Sequence, residues 1–115
     1  MFEECSSLTT APELPATTLT DYCYQEMFSG CSSLTTAPEL PAKTLVNYCY
    51  YNMFKGCTKL NYIKMLATNV NASWCLYDWV GGVASTGTFV KHKNMSSLKT
   101  GTSGIPSSWT VQNAA

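Results

Sequence analysis

Six cysteines are the side chains here best equipped for chemistry. They fall into two series, Cys5, Cys31 and Cys57, and Cys23, Cys49 and Cys75, each with a 26-residue spacing. Thiols placed this way have several uses. Bridges between positions 18 apart would join Cys5 to Cys23, Cys31 to Cys49 and Cys57 to Cys75. Bridges between positions 8 apart would join Cys23 to Cys31 and Cys49 to Cys57, leaving Cys5 and Cys75 alone, with Val83 where a partner for Cys75 would stand. Either kind of bridge would add about 2 to 4 kcal/mol. The third use is two ladders of buried free thiols, since unpaired cysteine is among the most buried residue types. Zinc sites and thiol redox centres ordinarily need close Cys-x-x-Cys pairs, which are absent.

The other reactive side chains are few. His92 is the single histidine, set in the short cluster Lys91-His92-Lys93, and Asp21 and Asp78 are the only aspartates. Helix capping and surface solvation account for both aspartates, so no triad or carboxylate pair is specified. Gly81-Gly82 lacks the spaced glycines or the Gly-Lys-Ser of a phosphate loop. The expectation is a protein that is not an enzyme and takes no cofactor or metal. Seven basic and seven acidic residues cancel, which argues against a nucleic-acid partner. Charged residues make up only 12% of the chain, against about 25% in ordinary soluble domains, so the exterior must be rich in hydroxyls instead. No run of 18 apolar residues is long enough to span a membrane as a helix.

The elements that position these residues come from a repeat. Residues 27–52 match residues 1–26 at nineteen of 26 positions, and residues 53–78 match residues 27–52 at eight. The eight include Met53, Phe54, Gly56, Cys57, Leu60, Leu66 and Cys75. A period of this length marks a solenoid, whose units bury their apolar sides only against their neighbours. Residues 1–78 are read as three units (1–26, 27–52 and 53–78), and residues 79–115 as a degenerate last unit with a C-terminal cap. In that tail Thr88-Phe89-Val90-Lys91 reads as a strand, and Ile105, Trp109 and Val111 are placed to fold back over the last turn. The chain opens in mid-unit at Met1-Phe2, as a fragment or an engineered boundary would. The uncapped first turn is expected to fray or to self-associate with a second copy.

Within each unit, Leu19, Tyr22, Cys23, Met27 and Phe28 follow the i, i+3, i+4 spacing of one helical face. Thr18 and Asp21 resemble a capping box, and Gly30 and Gly56 sit where a left-handed cap residue is wanted. Ser33-Leu34-Thr35-Thr36 reads as a short strand that Pro38 and Pro41 end. The predicted fold class is therefore an α/β repeat: a solenoid of about three 26-residue helix-turn-strand units with a C-terminal cap. Stacking would align Ser7 and Thr9, Ser33 and Thr35, and Lys59 and Asn61 into a polar stripe on the strand face, the expected ligand-binding surface. A second stripe of Tyr24, Tyr50, Tyr51 and Tyr77 is expected along the helical side. Aromatic and hydroxyl groups on rigid elements suit protein or carbohydrate recognition.

The recurring Met-Phe-x-Gly-Cys-x-x-Leu of residues 27–34, followed by Pro-x-Leu-Pro and a segment containing Cys-Tyr, resembles the BspA-like leucine-rich repeats of Bacteroidetes and other microbes. The resemblance covers residues 1 to 78. It implies a leucine-rich-repeat-like solenoid exported to the cell surface or secreted, acting in adhesion or capture of a host protein or glycan. It transfers no catalytic residue. The 26-residue period is longer than is common in that family. The rival expectation is a structural spacer or fibre element of a larger surface or phage protein.

Overall fold

Proline placement decides where this chain can build a ladder, because proline has no N–H to donate. The structure, a computed structural model, describes residues 7–9, 19–95 and 98–114. In the coil that carries Pro38 and Pro41, pairing is limited to isolated parallel bridges from Thr36 to Tyr62, Leu40 to Met65 and Thr44 to Asn69. Lys64 and Ala67 replace those prolines one unit later, and a strand forms there. It is β1 (Tyr62–Met65), followed by β2 (Thr88–Lys91) and β3 (Thr110–Asn113). The three make one parallel sheet in the order β1-β2-β3, with Tyr62 opposite Thr88 and Thr88 opposite Thr110. Each crossover is one circuit of the chain, so the coils lie on top of one another.

The predicted helices are absent, and with them the α/β helix-turn-strand class: among the described residues there are three short parallel strands and no helix. The segments read as helical are runs of overlapping β-turns. Along residues 20–31, Cys23, Gln25, Met27, Ser29 and Cys31 each donate a backbone N–H to the carbonyl three residues back, at 3.1–3.2 Å. Tyr22, Glu26 and Gly30 have positive φ (65°, 56° and 77°), which makes every second turn type II and those between type I. A left-handed residue at every fourth position is incompatible with an α-helix. The same geometry recurs at Tyr48, Asn52 and Gly56, and again at Trp74, Asp78 and Gly82. Thr18, half of the expected capping box, lies outside the described residues, as does the expected fraying or self-association at residues 1–6.

Turns consume only alternate amides, and the remainder hold the coils together. Tyr22, Tyr24, Glu26, Phe28 and Gly30 donate to the carbonyls of Asn47, Cys49, Tyr51, Met53 and Lys55 at 2.7–3.1 Å. Tyr48, Tyr50, Asn52, Phe54 and Gly56 donate in the same way to Ser73, Cys75, Tyr77, Trp79 and Gly81 at 2.8–3.1 Å. One coil cannot satisfy its own backbone, so stacking is obligatory rather than merely favourable. Gly56 shows how close the stack is. Its φ is +81°, and a Cβ there would already touch the backbone of Gly30 at 3.5 Å.

Side chains along the turn ribbon follow a two-in, two-out order. Cys23, Met27, Phe28 and Cys31 face the core, as do Cys49, Tyr50, Met53, Phe54 and Cys57 one coil on. Like residues therefore form columns: Phe28 stacks on Phe54 with ring centroids 5.8 Å apart and planes 3° from parallel. Leu34, Leu40, Leu60, Ile63 and Met65 close the core from the strand side. The third coil slips by one residue. Leu40 pairs with Met65 rather than the in-frame Leu66, and Val70 takes the buried place of Leu45. In the tail Ile105 and Trp109 are buried, whereas Val111 is 43% exposed on β3. Trp109 donates its indole N–H to the Ala84 carbonyl at 2.8 Å. No helix among the described residues is long and apolar enough to cross a membrane.

Candidate recognition surface

The outward positions of the turn ribbon carry the exposed aromatics among the described residues. Tyr22 stacks on Tyr48 at 4.7 Å and Tyr48 on Trp74 at 6.3 Å, each pair within 11° of parallel. A second column, Tyr51 on Tyr77 at 5.3 Å, runs beside the first. The two columns touch where Tyr48 tilts against Tyr51 and Trp74 meets Tyr77 edge-on. Tyr22, Trp74 and Tyr77 are 54%, 52% and 43% exposed. The result is a five-ring surface on one side of the stack.

The first column stands in costly backbone. Tyr22, Tyr48 and Trp74 have φ of 65°, 61° and 58°, where bulky residues are rarely found. Each such residue costs on the order of 1 to 3 kcal/mol, while an aromatic pair returns about 0.5 to 1.5. At the equivalent turn positions further along, the chain uses Glu26 in the first coil and otherwise Asn52, Asp78 and the glycines, which tolerate this conformation. Stacking alone does not offset the strain in the aromatic column.

The top of that column is open. Trp74 lines a pocket of about 440 Å³ together with Asn71, Leu76, Tyr77, Lys99 and Ser103. Tail residues cover part of the third ribbon, with Asp78 N–H donating to Ser103 Oγ at 2.8 Å and Val80 N–H to Thr102 O at 3.2 Å. Of the five amides that would continue the inter-coil row, those of Trp74, Leu76 and Gly82 meet no carbonyl of a described residue, and the first two stand at this pocket. An aromatic face beside two backbone donors can hold a flat, hydroxylated or carbonyl-bearing group.

The predicted strand-face residues fall as follows. Ser7, Thr9, Thr35, Lys59 and Asn61 are exposed and Ser33 is half-buried. Thr9, Thr35 and Asn61 occupy successive coils, Thr35 N–H donating to Thr9 O at 3.4 Å and Asn61 N–H to Thr35 O at 2.9 Å. Of the second predicted stripe, Tyr51 and Tyr77 lie on the aromatic surface, whereas Tyr50 is buried and Tyr24 half-buried. The column of Tyr22, Tyr48 and Trp74 escapes sequence reasoning because helical spacing places Tyr22 on a buried face. Their shared 26-residue frame is the signal that could have found them.

The cysteines are reactive in type and protected in place. No disulfide joins any two of Cys23, Cys31, Cys49, Cys57 and Cys75, so neither bridged scheme is adopted among them; Cys5 lies outside the described residues. Cys57 Sγ donates to Phe28 O at 3.0 Å and Cys75 Sγ to Val70 O at 3.4 Å. Burial pushes the Cys49 and Cys57 thiols up to about 12 from an ordinary 9.0, and raises Cys23 and Cys75 as well. Among these five, only Cys23 should react with a disulfide reagent at neutral pH before the protein unfolds, because it alone is not fully buried. A time course of thiol release with and without urea checks this; five equally fast thiols in native buffer would contradict it. No family model, curated protein or solved structure matches the chain.

Proposed function

We propose that this chain is a non-enzymatic recognition module, presented at a microbial cell surface or secreted, that binds a host protein or glycan through the aromatic side of its turn ribbon. The observation that carries the reading is the column Tyr22, Tyr48 and Trp74, held at positive φ at a cost its own stacking does not return. Backbone strain retained at an exposed position is more often the property of a working surface than of a scaffold. Large, rigid rings also give contact area at low entropic cost.

The test uses Trp74→Gly, which removes the terminal ring and also relieves the left-handed strain. On a glycan and matrix-protein array, the substitution is expected to weaken binding roughly tenfold or more, as loss of a central aromatic anchor does. The melting temperature should hold or rise slightly, since the relieved strain of about 1 to 3 kcal/mol exceeds the lost stacking of about 0.5 to 1.5. A parallel variant places lysine at Thr9, Thr35 and Asn61. Loss of binding in that variant alone would return the site to the strand-face hydroxyls. An array silent for the unaltered protein would favour the structural spacer.

A further inference from the structure

At the C-terminal ends of the parallel strands, away from the aromatic surface, the coils gather positive charge. We infer that the pocket lined by Lys43, Lys64, Leu66, His92, Lys93 and Ala114 binds the oxyanion of an acidic glycan, either a sulfate ester or a uronate carboxylate. Its volume is about 510 Å³, which leaves room for a sugar ring beside a single oxyanion. Three of the chain's seven lysines and its only histidine converge here, in a protein of zero net charge.

The pocket is built rather than incidental. The Lys43 carbonyl accepts from the amides of Thr68 at 2.8 Å and Asn69 at 3.2 Å, which fixes that backbone to the next coil. Ala114 N–H donates to Lys91 O at 2.7 Å, which closes the pocket from the third strand. His92 sits in a turn closed by Met95 N–H on its carbonyl at 2.9 Å. Its Nδ1 accepts from Asn94 N–H at 2.9 Å, so the neutral ring keeps its proton on Nε2 as a donor. Lys64 is paired with Glu39 at 3.1 Å. Lys43 and Lys93 pair with no carboxylate among the described residues, which leaves their two positive charges over. Every polar side chain lining the pocket is a hydrogen-bond donor, while Leu66 and Ala114 supply an apolar wall for sugar C–H groups.

The choice of a glycan as the bearer of the anion rests on the recognition reading above; the preference for an oxyanion rests on the pocket alone. Calorimetric titration of the full chain separates the two. The probes are a sulfated tetrasaccharide, a galacturonate tetrasaccharide, a neutral galactose tetrasaccharide, inorganic sulfate and a single-stranded DNA 12-mer. At least one acidic tetrasaccharide should bind about tenfold or more tightly than the neutral one, and weaken as salt is raised. Which of the two binds identifies the acid. The double variant Lys43→Gln, Lys93→Gln should lose about tenfold in that affinity with an unchanged melting temperature, both lysines being exposed. Trp74→Gly should leave it unaltered.

Equal binding of the neutral sugar, indifference to the lysine substitutions, or DNA bound as tightly as the acidic sugar would overturn the assignment. So would lysine-dependent binding of inorganic sulfate with every tetrasaccharide silent. Acidic-sugar binding lost in Trp74→Gly but kept in the lysine variant would overturn this pocket while sparing the recognition reading.

Discussion

Trp79→Ala is expected to leave little folded protein at 37 °C. The indole is fully buried, packs against Tyr50 at 6.1 Å, Phe54 at 6.0 Å and Phe89 at 6.2 Å, and donates its N–H to Gly104 O at 2.8 Å. Truncating a buried tryptophan costs about 3 to 5 kcal/mol through lost transfer energy and the cavity left behind. Stranding the Gly104 carbonyl costs about 1 to 3 more. Together these approach the whole stability of a domain this size, about 5 to 15 kcal/mol. Thermal unfolding should show a midpoint lowered by about 15 °C or more, or no cooperative transition. Trp79→Phe should fall between the two, since it keeps a ring and loses the hydrogen bond. A shift under about 5 °C for the alanine variant would mean that Trp79 does not join the third coil to the tail as its contacts indicate.

Stability should also collapse in alkali, and the thiol columns set the range. A group whose pKa is higher in the folded state holds its proton more tightly there. Its contribution is therefore complete below the unfolded pKa and is lost as pH climbs towards the folded one. For Cys49 and Cys57 that window runs from 9.0 to about 12. Within it each thiol withdraws about 1.4 kcal/mol per pH unit, so the pair approaches 3. The buried Tyr50 phenol, also pushed up by desolvation, adds to the loss above its ordinary 10.0. Urea denaturation in reductant should give constant stability between pH 7 and about 8.5 and unfolding well before pH 12. A Cys49→Ala, Cys57→Ala protein, though less stable at neutral pH, should lose stability more gently on the same scale. A flat profile to pH 11 would show that the thiols are not shielded as the structure places them.

The repeat was legible in the sequence, and the conformation inside it was not. Inward positions 23, 24, 27, 28 and 31 look alike for a helix and for a ribbon that turns every four residues. At about 100° per residue, a helical face drifts by only about 80° over eight positions, too little to distinguish the two from polarity. What separated them was backbone preference. Asn52 and Asp78 at one left-handed position and Gly30, Gly56 and Gly82 at the next are residues that accept positive φ, but Glu26, Tyr22, Tyr48 and Trp74 conceal the rule. The Lys91-His92-Lys93 cluster was visible, yet only coil stacking with a one-residue slip in register brings Lys43 and Lys64 alongside two of its members. The strand at residues 88–91 was legible because Thr88, Phe89 and Val90 are β-branched or aromatic, the types that favour strands.

The alternation of two turn types gives the backbone a grammar. One type II turn plus one type I turn is a four-residue word that leaves the same amides aimed at the neighbouring coil, so whole words can be added or deleted without garbling the rest of the circuit. A single-residue change within the ribbon would exchange inward for outward side chains from that point on. The chain advances 26 residues from Tyr62 to its partner Thr88 and 22 from Thr88 to Thr110, a difference equal in length to one word. Within the ribbon, a scaffold like this one can have its flat surfaces widened or narrowed in steps of four while the interior columns stay in line.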